Sequence, residues 1–366
     1  MSTTPSPLVG LLREEVLPLR AYVPDPKRPP IRLDANESPY PLSDEARDRI
    51  AQSLAQLSLE RYPDARAFAL RQAIADHVGG TWEEIVPGCG SDEVISTLMT
   101  ALSRPRPGRT RASVLFPTPS FVMYRISSLT HGHTPVEVAL GEDFALDEAA
   151  MLRALSEHAP NLVFLATPNN PTGNRFDPAV MRRLIEAAPE TLFVLDEAYA
   201  PFSGETVSGW VDEYGNVGVM GTLSKVGLAG ARIGWIRLPL TLAAEVDKVR
   251  QPFDLGAPSQ EMGRLGLTTL WPELSANVEA IRRERARVSA ALAELPGLKA
   301  HPSDANFLLV SVARDLGAVM DALAAAGISV RRFASAPAPL DRAFRVSIGQ
   351  PHENDALLAT LSMLLS

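Results

Sequence analysis

Short, continuously apolar runs alternate along this chain with longer stretches in which apolar residues recur every third or fourth position. The runs 113–116 (SVLF), 162–166 (LVFLA), 192–195 (LFVL) and 217–220 (VGVM) have the length and apolar continuity of strands buried on both faces. Between them lie helix-period segments. Val94, Ile95, Leu98, Met99 and Leu102 fall on one face of a helix for which Ser91 is the expected N-cap. This rhythm predicts an α/β fold with a mostly parallel sheet flanked by helices. From Pro272 to Leu295 a polar stretch with Glu279, Arg282, Arg283, Glu284 and Arg287 reads as one solvated helix joining two domains. The pattern then restarts as strand 307–312, helix 315–326, strand 328–333, strand 344–348 and a last helix from about Glu353. The expected organisation is an N-terminal arm over 1–33, a large domain over 34–264 and a small α+β domain over 265–366 that packs with part of the arm. Pro5, Pro7, Pro18, Pro24, Pro26, Pro29 and Pro30 favour an extended arm over a helical one.

Composition narrows the choice of partner. With 46% hydrophobic and 21% charged residues in 366 positions, the chain can build a large core. The formal charge, 35 basic minus 43 acidic residues, is −8, and no basic block is dense enough to track a phosphate backbone, so nucleic acid is not an expected partner. The single cysteine, Cys89, cannot form an internal disulfide. No apolar stretch approaches the length of a membrane span, and the N-terminus has no basic region leading into an apolar segment. The expectation is a cytoplasmic protein without a metal site.

Candidate chemistry sits where the apolar runs end, the place where open α/β sheets form their ligand crevice. LVFLA is followed by Thr167-Pro168-Asn169-Asn170-Pro171-Thr172-Gly173, LFVL by Asp196-Glu197-Ala198-Tyr199, and VGVM by Gly221-Thr222-Leu223-Ser224-Lys225. A lone loop lysine is usually solvated. Lys225, however, lies between an apolar strand and the small-residue run Val226-Gly227-Leu228-Ala229-Gly230-Ala231, where desolvation favours the neutral amine that attacks an aldehyde. Asp196 ends a buried strand and needs a cation, either an arginine or a pyridinium nitrogen. Tyr199 is either a core tyrosine or a phenol donor beside the amine. In Pro87-Gly88-Cys89-Gly90-Ser91-Asp92-Glu93 the glycines and the helix start form a candidate anion cradle, which Thr222, Ser224 and Arg232 could complete.

The run TLSKVGLAGARIGW resembles the lysine motif of the fold-type-I, class II pyridoxal-phosphate-dependent aminotransferases, and TPNNPTG, DEAY and GCGSDE stand in that family's order. LDANESPYPL, RYPDARAFALRQAIA, TPSFVMYR and FRVSIGQPHENDALLATL are similar, more narrowly, to the histidinol-phosphate branch. The resemblance runs from about residue 30 to the C-terminus. It implies that Lys225 holds pyridoxal 5'-phosphate covalently and moves the substrate proton. Asp196 would pair with the ring nitrogen, Tyr199 and Asn170 with the ring hydroxyl, and Phe121 would stack on the ring. Gly90, Ser91, Asp92, Thr222, Ser224 and Arg232 would hold the cofactor phosphate. Tyr62 would reach the phosphate of a neighbouring subunit, giving a homodimer with composite sites. Arg345, with Asn170 beside it, would take the substrate carboxylate, and Asn36, Tyr40 and Arg331 would face the substrate side chain or phosphate. The implied reaction exchanges an amino group between L-histidinol phosphate and 2-oxoglutarate, giving imidazole-acetol phosphate and L-glutamate in histidine biosynthesis.

The chain has Ser38 where the family has an asparagine, and its 251–257 segment, QPFDLGA, lacks the family's asparagines. Polar groups there discriminate substrates, so an aromatic amino acid aminotransferase or a phosphothreonine decarboxylase is the related alternative. Two other classes fit less well. A nicotinamide dehydrogenase needs a third glycine where Glu93 stands, and a DNA-binding regulator needs a helix-turn-helix that the proline-rich start does not supply.

Overall fold

The computed structural model describes residues 7–19, 21, 29–313, 315–333 and 337–365. Its strands, in chain order, are β1 (Ile31–Leu33), β2 (Ile85–Cys89), β3 (Ser113–Thr118), β4 (Thr134–Ala139), β5 (Leu162–Ala166), β6 (Leu192–Asp196), β7 (Val217–Thr222), β8 (Ile233–Arg237), β9 (Leu298–Ala300), β10 (Phe307–Val312), β11 (Ile328–Arg332) and β12 (Ala343–Ser347). They form a seven-stranded sheet in the order β2-β8-β7-β6-β5-β3-β4 and a five-stranded sheet in the order β1-β11-β12-β10-β9. In the large sheet β8 runs antiparallel to β2 and β7, and the other pairs are parallel.

The apolar runs are continuous because both faces of the large sheet are covered. On one face Phe116, Phe164, Ala166, Val194 and Met220 pack against Val94, Ile95, Leu98 and Met99 of the helix Ser91–Ala101. The alternate residues Leu115, Val163, Leu165, Phe193 and Leu195 pack against Met151, Leu155, Met181, Leu184 and Ile185 on the other. Period-two alternation thus supplies two cores from each strand. In register, Ala166 lies beside Asp196 and Asp196 beside Met220, so the loops after β5, β6 and β7 open at one edge.

Three local expectations are corrected. The helix expected from Pro272 to Leu295 spans Trp271–Ala293, but it is not simply solvated. It buries Leu274, Val278, Ile281, Val288 and Leu292, in a cluster shared with Phe307 and Phe344 of the small sheet and with Leu223 and Val226 around the lysine. Its charged residues had masked a regular apolar stripe. The arm contains a short helical turn, Pro7–Leu11, whose one proline, Pro7, is its first residue; Pro5, Pro24 and Pro26 lie outside the described residues. Finally, the N-cap of the helix Ser91–Ala101 is Gly90, not Ser91. Gly90 takes φ 80°, a left-handed conformation that admits glycine without strain and leaves Ser91 as the first helical residue. Among the described residues, no helix is long and apolar enough to cross a membrane.

Candidate active site

Strand ends, one helix start and one wide turn build a single cavity of about 190 Å³ whose wall includes Ser91, Asp92, Phe121, Asn170, Asp196, Tyr199, Thr222, Ser224, Lys225 and Arg232. Ala35, Glu37, Ala166, Ala198 and Ala229 complete it. Ten of the residues singled out in the sequence therefore meet in one place, although they span 142 positions of the chain, from 91 to 232.

Asp196 is 5% exposed at the end of β6. Burial pushes its carboxyl above the usual aspartate range, against hydrogen bonds donated by the Tyr124 hydroxyl (2.6 Å) and the Ala198 N–H (3.0 Å) and the attraction of Lys225. Among the described residues no arginine or lysine forms an ion pair with it, so the arginine partner allowed by sequence is absent. A buried carboxylate in this condition fits a cationic ring nitrogen. Lys225 is the second residue of the wide turn Ser224–Leu228, with its Nζ 5.7 Å from the centre of the Tyr199 ring.

The phosphate cradle is built on close backbone approach. A Cβ on Gly90 would run into the Arg232 guanidinium, and a Cβ on Gly234 would run into the Gly90 and Ser91 backbone. The two glycines let β8 press against the start of the helix Ser91–Ala101, whose free N–H groups face an anion well. The Thr222 hydroxyl donates to the Ile233 carbonyl (2.8 Å) and accepts from the Ser224 N–H (3.1 Å), which fixes this pair beside the helix start. Arg232 is held only loosely, 3.7 Å from Asp92 and 3.4 Å from the Cys89 carbonyl, leaving its fork able to take an oxyanion. Carboxylate, amine, aromatic Phe121 and anion cradle are together the donor set that pyridoxal phosphate requires.

Other expected residues lie around this cavity. Arg345 on β12 is 9% exposed; it donates to the Asn170 side-chain oxygen (2.6 Å) and the Asp34 carbonyl (2.7 Å), while its Nε has no partner among the described residues. Burial pulls its guanidinium below its usual range, yet no carboxylate pairs with it among the described residues. Arg331 lies opposite Arg345 in the β11–β12 register but is exposed. Tyr40 does not line the cavity; it packs against the core cluster and faces the charges of Arg283, Glu284 and Glu353, which belong to two helices of the small-sheet side. Tyr62 is 81% exposed and stacks on Phe253 at 4.6 Å, away from the cavity of its own chain. Asn36 is 1% exposed, and its amide donates to the Tyr199 hydroxyl at 2.9 Å.

Tyr124 is the residue that sequence reasoning passed over. It is fully buried, stacks on Phe164 at 4.7 Å and meets Phe121 edge-on at 5.6 Å. It enters the helix Met123–Thr130 just after Phe121, and its N–H donates to the Phe121 carbonyl at 3.1 Å, so a turn and not a helical face brings the two rings together.

The pattern of the family described as aminotransferase class I and II matches residues 28–361. The chain belongs to that family. This aminotransferase is 38% identical to the histidinol-phosphate aminotransferase of Methylibium petroleiphilum over 98% of its length and 96% of the relative's. It is 39% identical to histidinol-phosphate aminotransferase 1 of Burkholderia lata, with 99% of each chain covered. Among solved structures it is similar to the histidinol-phosphate aminotransferase of Sinorhizobium meliloti in complex with pyridoxal-5'-phosphate, with a TM-score of 0.84, 26% identity and 97% of each chain covered. The α/β architecture is accordingly that of the fold-type-I enzymes.

Proposed function

We propose that this aminotransferase uses pyridoxal 5'-phosphate to move an amino group between L-histidinol phosphate and 2-oxoglutarate, by ping-pong kinetics. The observation that carries the cofactor reading is the buried Asp196 carboxylate, without an ion-pair partner among the described residues and on one wall with Lys225. The substrate reading is supported by the relatives' shared description and by Arg345, a buried guanidinium with an unpartnered Nε.

Pyridoxal phosphate, when bound, supplies an aldehyde carbon for the amine and a ring that draws electrons from the substrate Cα. In this reading Asp196 keeps a proton on the ring nitrogen, and Tyr124 and the Ala198 N–H hold Asp196 in its charged form. Lys225 Nζ would take the proton from Cα and return it to the former aldehyde carbon on the far side of the intervening nitrogen, acting as general base and then acid. Tyr199 and Asn170 meet the ring oxygen and Phe121 the ring face. Gly90, Ser91 and Asp92 at the helix start, with Thr222, Ser224 and Arg232, hold the phosphate. Arg345 takes the carboxylate of glutamate or 2-oxoglutarate through its planar fork. Arg331, exposed opposite Arg345, and Tyr40, which stands off the cavity wall, are assigned to the substrate phosphate and imidazole on the family resemblance. Tyr62, exposed on its own subunit, reaches the phosphate of a second copy in a homodimer. With the chain divided into an arm 1–33, a large domain 34–264 and a small domain 265–366, the cavity wall belongs to the large domain, and Arg345 of the small domain reaches it through Asn170.

Purified protein should be yellow, and borohydride should fix the cofactor onto Lys225; protein that stays colourless after reconstitution refutes the cofactor reading. For the substrate, glutamate formation is measured with histidinol phosphate and 2-oxoglutarate. No turnover with that pair, alongside good turnover with phenylalanine, favours the aromatic alternative.

A further inference from the structure

Every polar group of Asn36 is committed, and the pattern fixes which way its amide points. The Asn36 N–H donates to the Ser347 hydroxyl at 2.9 Å, and that hydroxyl donates back to the Asn36 side-chain oxygen at 3.1 Å. The Asn36 carbonyl accepts from the Asn306 side chain at 3.0 Å. With its oxygen held by Ser347, the amide has only its nitrogen left for Tyr199, and it donates to the phenol oxygen at 2.9 Å. Asn36 holds this position with φ 55°, a left-handed conformation that asparagine tolerates better than most side chains.

An amide NH₂ can only donate. The Tyr199 oxygen is therefore an acceptor on its Asn36 side, and its own hydrogen must point elsewhere. Asn36 itself is not on the cavity wall, whereas Tyr199 is. We infer that Asn36 is a positioning residue: its amide holds Tyr199 as a hydrogen-bond acceptor and so commits the phenol hydrogen to the cavity. Accepting one bond also polarises the phenol and strengthens the bond it donates. The charged and titratable groups that act on Tyr199 from the packed elements are Lys225, Arg345 and Tyr124. Asn36 adds what none of these supplies, a neutral donor of fixed direction. The residue's task is thus separated from contact with the substrate side chain.

This inference rests on the proposed assignment of Tyr199 to the ring oxygen of the cofactor, and its test separates the two. A strong donor at that oxygen withdraws electrons, so the Lys225 nitrogen in its bond to the cofactor gives up its proton at a lower pH. Weakening the donor moves the pH midpoint of the bound cofactor's visible absorbance upward. Asn36→Asp is nearly isosteric but replaces the donor with an acceptor, which turns the Tyr199 hydrogen away from the cavity. The expected shift is about one pH unit upward, a tenfold change in proton affinity, matching Tyr199→Phe. Adding Asn36→Asp to Tyr199→Phe should then give no further shift, because both act through one hydrogen bond.

Should Asn36→Asp fail to fold, Ser347→Ala decides. It frees the amide to rotate, and a smaller upward shift is expected. If Tyr199→Phe moves the midpoint while neither Asn36→Asp nor Ser347→Ala does, Asn36 is structural and the inference is overturned, whatever happens to the melting temperature. If Tyr199→Phe leaves the midpoint in place, the assignment of Tyr199 falls first and the inference with it.

Discussion

Tyr124→Phe isolates one hydrogen bond at the centre of the site. Phenylalanine keeps the ring stacked on Phe164 and edge-on to Phe121, so the packing is retained and only the hydroxyl is lost. That hydroxyl donates to the Asp196 carboxylate at 2.6 Å in a place where both residues are buried. A hydrogen bond to a charged group contributes about 1.5–3 kcal/mol, and leaving the acceptor unsatisfied in the interior loses most of that. Since 1.4 kcal/mol is about tenfold, the affinity for pyridoxal phosphate should fall by roughly 10- to 100-fold.

The pH dependence has a definite sign. Asp196 already sits above the usual aspartate range because of burial, and losing Tyr124 raises it further. In the folded protein without cofactor, such a carboxylate gives stability that is full below its unfolded value of about 3.9 and is lost as pH rises through its folded value. The cofactor needs the charged form. The affinity loss in Tyr124→Phe should therefore be larger at pH 6 than at pH 8, measured by titrating the apoprotein with cofactor and following absorbance. A dissociation constant within twofold of the parent at both pH values, in protein that melts normally, would refute the claim that Tyr124 sustains the Asp196 charge.

Other parts of the site make separate predictions. Arg345→Lys keeps the charge but loses the planar fork, so KM for glutamate should rise about 10-fold or more with kcat less affected; steady-state kinetics with both substrates check this. Gly234→Ala places a methyl group against the Gly90 and Ser91 backbone, and melting should show a loss of about 1–3 kcal/mol together with weaker cofactor binding. Glu197, on the outer side of the same loop, accepts from Thr206 (2.6 Å) and the Val207 N–H (2.7 Å), and burial pushes it up to about 7. Its raised value stabilises the fold fully below about pH 4.5, and that contribution is lost as pH climbs to 7. Glu197→Gln should then raise the melting temperature at pH 8, by an increment equivalent to no more than about 3 kcal/mol, and change little at pH 4.5; equal shifts at both pH values would contradict the assignment.

Much of the large sheet was legible because burial on both faces writes itself as unbroken apolar runs: 162–166 is β5 residue for residue. The other runs stop short of the observed strands, since Asp196 and Thr222 extend the ladders of β6 and β7 with polar residues that face the cavity. Strand β2 contains Pro87 and Gly88, and β4 is an edge strand with exposed positions, so neither carries the signal of a buried run. The cavity itself was legible through its placement after strand ends. Tyr124 and the real task of Asn36 were not, because both act through partners far along the chain: Tyr124 through Asp196, and Asn36 through Ser347, 311 positions away. A pattern of apolar spacing carries no record of which buried polar atom meets which.

That distance in sequence becomes proximity in one strand. Arg345 and Ser347 are two residues apart on β12, so their side chains leave the same face of the small sheet. One donates to Asn170 and the other orients the amide that holds Tyr199. β12 lies between β11 and β10 and is buried along its whole length, which makes it a stiff support for both side chains. One stiff strand thus carries both the guanidinium proposed for the substrate carboxylate and the hydroxyl that orients the Asn36 amide. On the proposed roles of Arg345 and Asn36, a substitution that displaces β12 should disturb carboxylate recognition and the absorbance midpoint together.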